Sequence, residues 1–180
     1  LQPDGNISPY KNLYTHFTGG NTVIGQQMIE SIDDDILEVV NKSIDWYNKT
    51  EGLSIKPLKS LNRISSDAYK STFRYLKTTY DTDKARAQIA IFTDAMGLST
   101  RNRLNPHGNG FWGHDASYNK DRSKDGAASE TWATFGSLFY TGDDETISLV
   151  KGLMPKTWET YSSVLEDILE YALTNDIDYK

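Results

Sequence analysis

Between Gln26 and Lys49 the apolar side chains fall at Ile29, Ile32, Ile36, Val40, Ile44 and Tyr47, three or four residues apart, with polar residues between them. That interval follows the helical turn and predicts a long amphipathic helix over 26–49, ended by Gly52. Within it, Asp33, Asp34 and Asp35 are consecutive and therefore point about 100° apart, so they read as a solvated helix face rather than a cation site. The pattern then breaks. Leu53 to Ile64, with Pro57, predicts an extended connection with room for one short strand. Ser65 or Ser66 caps a second helix over 65–80 that turns Tyr69, Phe73 and Leu76 inward. Asp81-Thr82-Asp83 signals a third over 84–96, carrying Ala85, Ile89, Ile91 and Phe92, with Gly97 as its stop.

No convincing period runs through Leu98 to Ala128, and a connection of that length in a compact domain is usually functional. Ser129 then caps a helix over 129–141 in which Trp132, Phe135, Leu138 and Phe139 face the core, while Ala133, Thr134, Gly136 and Ser137 keep the other surface small. Pro155 opens the last helix, 155–173, with Trp158, Tyr161, Leu165, Ile168 and Ala172 as its buried stripe and a fraying tail from Thr174. The expected fold is mainly α, about five helices in one domain, or α+β if the connection after Gly52 joins a small sheet. Its parts are an irregular lead (1–25), a helical part (26–97), a long functional loop (98–128) and C-terminal helices (129–180).

The chain has 180 residues, 37% of them hydrophobic and 12% aromatic, enough to bury one core. Nineteen basic residues against 25 acidic ones give a net charge of −6, which weighs against a nucleic-acid backbone or an anionic membrane as main partner. With no cysteine, disulfides, thiol nucleophiles and thiolate metal sites are excluded. The chain opens on Leu1 instead of Met and reads as a piece of something longer.

Chemistry concentrates in Gly110 to Phe139, which holds a Gly-flanked His114, Tyr118 and a lone Glu130. His16, in the aromatic lead, reads as a surface or packing residue. Arg101, Arg103, Lys120, Arg122 and Lys124 make the long loop locally basic and suit it to face an anion. The runs FTDAMGLSTRNRL, GFWGHDASY, SETWATFGSLF and LVKGLMPKTWETY, over about 89–161, resemble the C-terminal part of phage-associated and polymorphic-toxin domains, some joined to minor capsid proteins. The shared pattern runs S-D-x-x-x-x-x-T, G-H-x-x-S-Y, E-x-F-A and F-P.

That resemblance implies a zincin-like metallopeptidase frame in a virion-associated or secreted protein, acting on a peptide or protein substrate as part of a larger phage or toxin polypeptide. By position, Glu130 would be the third zinc ligand, with Trp132 where the family has Phe and Ala133 at the small position. His114 and Tyr118 would match the G-H-x-x-S-Y element, with stabilisation of an oxyanion as their implied role. Zinc with three protein ligands lowers the pKa of its bound water to about 7.

The chain departs from the pattern in having no H-E-x-x-H. His16, His107 and His114 lack the helical spacing that lets two imidazoles share an ion. Either the metal helix lies upstream of Leu1, or the domain keeps the frame without the metal. In both cases Glu130 is expected to point into an apolar groove, unless it is only a solvated first-turn residue that helps the helix dipole. Three other classes remain: a nuclease using His107, His114, Arg101 and Arg103; a transferase clamping a nicotinamide nucleotide with His114, Tyr118 and Glu130 on a strand-rich sandwich; and a structural or interaction module with no site.

Overall fold

A computed structural model describes residues 23–119 and 124–174. The lead with His16, and the tail beyond Thr174, lie outside the described residues. Those residues form eight helices and no strand, so the fold is mainly α. The first, α1 (Val23–Glu51), is the axis of the domain and packs against α2 (Ser66–Thr79), α8 (Pro155–Thr174), α6 (Lys124–Thr141) and α4 (Ala90–Ser99).

Its stripe is buried as its spacing requires: Ile32, Ile36, Val40 and Ile44 are at most 1% exposed. Each such side chain contributes about 1.5–3 kcal/mol relative to exposure. Gly52 takes φ 66° and lets the Leu53 N–H reach back to Asn48 O at 3.1 Å, a left-handed helix stop.

The small sheet considered for the connection after Gly52 does not form. Asn41 brackets Leu58, donating to its O (3.0 Å) and accepting from its N–H (2.7 Å), and Asn48 does the same for Ile55 (2.8 Å each way). Two side-chain amides thus take the place of a neighbouring strand and satisfy the extended backbone. Ser65 then caps α2 by accepting from Ala68 N–H at 3.1 Å, and Ala68, Phe73 and Leu76 are buried.

The helix expected over 84–96 is two: α3 (Asp83–Gln88), capped by Thr82, and α4, broken apart at Ile89 (φ −87°, ψ 7°). Ile89 is fully buried at the turn, and the segment after it carries the buried Phe92, Ala95 and Met96 while Asp83–Gln88 buries none of its residues. Gly97 does not stop α4. The left-handed residues are Arg101 (φ 51°) and Asn102 (φ 61°), whose N–H reaches Gly97 O at 2.7 Å.

The long loop expected over 98–128 is shorter at both ends. It includes the last turn of α4 and a four-residue helix, α5 (Ala116–Asn119), and α6 is under way from Lys124, so Ser129 lies inside a helix and caps nothing. Ala128, 3% exposed, is drawn into the core, and an alanine pair at 127–128 favours helix over loop. A further helix that the apolar spacing did not predict is α7 (Asp144–Leu153), capped by Asp143 through the Thr146 N–H at 2.9 Å and anchored by Val150 and Leu153. Pro155 opens α8 as predicted, but the buried stripe is rotated: Thr157, Tyr161 and Val164 face inward while Trp158, Leu165 and Ile168 are half-buried.

The acidic run on α1 corrects a second expectation. Its three carboxylates do fan out, yet they are not one solvated face. Asp34 pairs with Lys156 (3.1 Å), and Asp33 accepts from the Ser99 hydroxyl. Asp35, 1% exposed, accepts from Thr157 N–H (2.8 Å), Thr157 Oγ1 (2.7 Å) and Lys156 N–H (3.2 Å). It caps the start of α8 from a helix far away in sequence, satisfying donors that a helix N-terminus leaves open. Burial pushes its carboxyl up, and the Thr157 and Lys156 hydrogen bonds oppose that.

Candidate active site

Two helices carry the site. On α4, Phe92 and Met96 fill the core, which turns Ile91, Asp94, Ala95 and Leu98 toward α6. On α6, Phe135 packs edge-on to Tyr161 and beside Trp158 of α8, with ring centroids 5.4 Å away in both cases. That aromatic clamp fixes the rotation of α6 and aims Glu130 and Thr134, one helical turn apart, at the facing side of α4. Between them lies a cavity of about 270 Å³ bordered by Asp94, His114, Glu130, Thr131 and Thr134 over an apolar floor of Ile91 and Leu98.

The loop over this cavity is locally well specified. The Thr93 hydroxyl shares its hydrogen between Ala90 O (3.0 Å) and Trp112 O (2.9 Å), tying the loop to α4. Asn109 donates to Tyr69 Oη (2.7 Å) and to Asn105 O (2.8 Å). Phe111 is buried against Phe73, whereas Trp112 stands 64% exposed. Asp115 accepts from Ser117 N–H (2.9 Å), Ser117 Oγ (2.6 Å) and Tyr118 N–H (3.0 Å), and so starts α5. The Ser117 hydroxyl and these backbone donors hold the Asp115 carboxyl below the usual range.

One turn of chain thereby sets Tyr118 over His114. Their rings stack with centroids 3.6 Å apart and planes 11° from parallel, and Tyr118 Oη donates to Glu130 Oε1 at 3.0 Å. All three residues singled out from the sequence meet at this one place. Glu130 is not a first-turn residue: it lies inside α6, partly buried, at the wall of the cavity and as the acceptor for a phenol. Ala133, expected to make room beside it, is exposed; the small residues at the cavity are Thr131 and Thr134, with Ala90 and Ala95 opposite.

Asp94 completes the group and received no role from the sequence. Its Oδ1 accepts from His114 N–H at 2.6 Å and its Oδ2 lies 3.0 Å from His114 Nδ1. Gly113 permits this approach, since at φ 147° a Cβ there would stand 2.7 Å from Asp94 Oδ1.

The remaining candidates lie apart from this centre. His107 is exposed, with its N–H on Asn105 Oδ1 (2.9 Å). The Arg103 guanidinium bonds Asn62 O and ties the loop to the connection before α2, while Arg101 is exposed. Lys120 and Arg122 lie outside the described residues. No strand-rich sandwich for a nucleotide clamp exists among the described residues.

Among the described residues no three His, Asp or Glu side chains are grouped to hold a metal ion. No helix among the described residues is long and apolar enough to cross a membrane. Comparison with protein-family models, curated proteins and solved structures finds no match.

Proposed function

We propose that the chain is a hydrolase-type domain of a phage or toxin protein, related to the zincin-like metallopeptidases, that acts on a peptide or protein substrate within a larger virion-associated or secreted polypeptide. The observation supporting this reading is that Tyr118 stacks on His114 and donates to Glu130, and that His114 and Glu130 line one cavity. An imidazole at a cavity wall takes a proton from the water that adds to the carbonyl carbon, a neighbouring carboxylate receives that proton and delivers it to the amine as the C–N bond breaks, and a phenol that rests on the carboxylate turns its one hydrogen to the oxygen that gains charge. In this reading the roles fall to His114, Glu130 and Tyr118 in turn. A cavity of about 270 Å³ is below the usual range for drug-sized ligands and suits one amino-acid side chain beside the scissile bond.

Quenched-fluorescent peptides test it, incubated with the full chain and with His114→Gln, each with a chelator and with added zinc. Cleavage that falls about 100-fold or more in a folded His114→Gln variant supports the reading. Peptides left intact by the wild type in every arm contradict it.

A second reading, a non-enzymatic interaction module of a virion or secreted assembly, draws support from Trp112 (64% exposed) beside the cavity and from Leu169 and Leu173 (54% and 78%) near the end of α8. It predicts peptides that bind without being cut, and loss of that binding in Trp112→Ala.

A further inference from the structure

We infer that Asp94 is the positioning residue of this site: it holds the His114 ring in the tautomer that leaves Nε2 as the free base. Its use in catalysis rests on the hydrolase reading; the positioning itself does not.

Both oxygens of the Asp94 carboxylate act on His114. Oδ1 accepts from the His114 backbone N–H at 2.6 Å, and Oδ2 lies 3.0 Å from Nδ1 of the same residue. An ionised carboxylate only accepts, so Nδ1 carries the hydrogen of this contact and, in the neutral ring, Nε2 does not. A histidine gripped at both backbone and ring by one side chain loses freedom at φ, χ1 and χ2 together. The grip is anchored on both sides. Thr93, next to Asp94, bonds Trp112 O, and the Gly113 backbone passes so close that a Cβ would meet Asp94 Oδ1 at 2.7 Å. On the other face of the ring, Tyr118 stacks at 3.6 Å and is itself tied to Glu130. The ring is thus fixed in plane by Asp94 and across its face by Tyr118, with its side chain still 45% exposed where the cavity opens. A histidine serving only the packing of the loop needs neither a second carboxylate contact nor an open edge.

Asp94→Asn discriminates, because it preserves shape and reverses one donor. The backbone N–H of His114 needs the amide oxygen, which leaves the Asn NH2 facing Nδ1. Nδ1 then becomes an acceptor, and the hydrogen moves to Nε2. The measurement is the 15N and 13C imidazole spectrum of the full chain at a pH where the ring is neutral, in a His16→Gln/His107→Gln background that leaves His114 as the sole histidine. The expected result is the Nδ1–H tautomer in that background and the Nε2–H tautomer once Asp94→Asn is added. A ring that already carries its hydrogen on Nε2 with Asp94 present overturns the inference, and so does a tautomer unchanged by the substitution. The Asp94-containing spectrum decides alone should the variant not fold. The activity arm separates the two proposals. If peptides are cut, Asp94→Asn lowers kcat about 100-fold or more with KM nearly unchanged. If the tautomer reverses and no peptide is ever cut, the positioning role stands and the hydrolase reading falls.

Discussion

Asp35 and the pair Asp94 and Glu130 are carboxylates brought by helices into partly apolar surroundings, and they end in opposite conditions. Asp35 is 1% exposed and saturated, with three donors from the start of α8 closing over it. Asp94 and Glu130 border a cavity, and Asp94 holds a ring whose side chain is 45% exposed. A group whose hydrogen bonds are all met by backbone and fixed side chains ties helices together. One that orients another titratable group toward open space is available for chemistry. The protein uses the same functional group for a joint midway along α1 and for the cleft between α4 and α6.

That contrast is broken most sharply by Glu130→Gln. It keeps an acceptor for the Tyr118 hydroxyl, so unfolding stability should change by less than about 1 kcal/mol, while peptide hydrolysis falls about 10²–10⁴-fold. A variant that melts early, with activity falling only in step, would place Glu130 beside Asp35 as a joint. Asp35→Ala should do the reverse. It strands the Thr157 and Lys156 donors and costs about 3 kcal/mol, a fall of roughly 6–12 °C in Tm for a chain of this size, read by calorimetry. Gly113→Ala comes next, at about 1–3 kcal/mol for the strained backbone, and loosens His114 by driving Asp94 away. Its check is a thermal melt beside the imidazole spectrum.

The smallest effect is one of pH and has opposite signs at two caps. Burial raises the Asp35 carboxyl, so the folded chain holds that proton more tightly than the unfolded one. The stability this contributes is full below the ordinary aspartate value and fades as the pH rises through the folded value. Urea unfolding of wild type against Asp35→Asn should therefore show a gap that narrows from acid toward neutral pH. Asp143 is held low by the Thr146 N–H and hydroxyl, so its contribution is present above the ordinary value and lost as the pH falls through the folded one. The gap to Asp143→Asn should widen over the same range.

The parts of this design readable from sequence are those with a local cause. The α1 stripe, the Gly52 stop, the Ser65 cap and the Pro155 start each depend on residues within a turn or two. The Ile89 break was hidden because the apolar spacing carries on through it. The rotation of α8 escaped because Thr157 is buried by its bond to Asp35, a partner no periodicity reveals. The start of α7 was legible, since Asp143 and Thr146 make a capping pair ahead of Ile147, Val150 and Leu153.

At the site, His114 and Tyr118 are one helical turn apart and Glu130 follows within the same stretch, so their meeting needs only a short fold-back. Asp94 was invisible as a partner because it acts from another helix. The clue available was Gly113 itself, a residue without a side chain directly before a functional histidine, which marks a place where something must come close.

The most direct test of the central claim is to incubate the full chain with a peptide library in H₂¹⁸O and read new carboxyl termini by mass spectrometry. The account predicts termini carrying ¹⁸O with the wild type, and about 100-fold fewer with Glu130→Gln at unchanged Tm. An uncut library, or one cut equally by the folded variant, would contradict it.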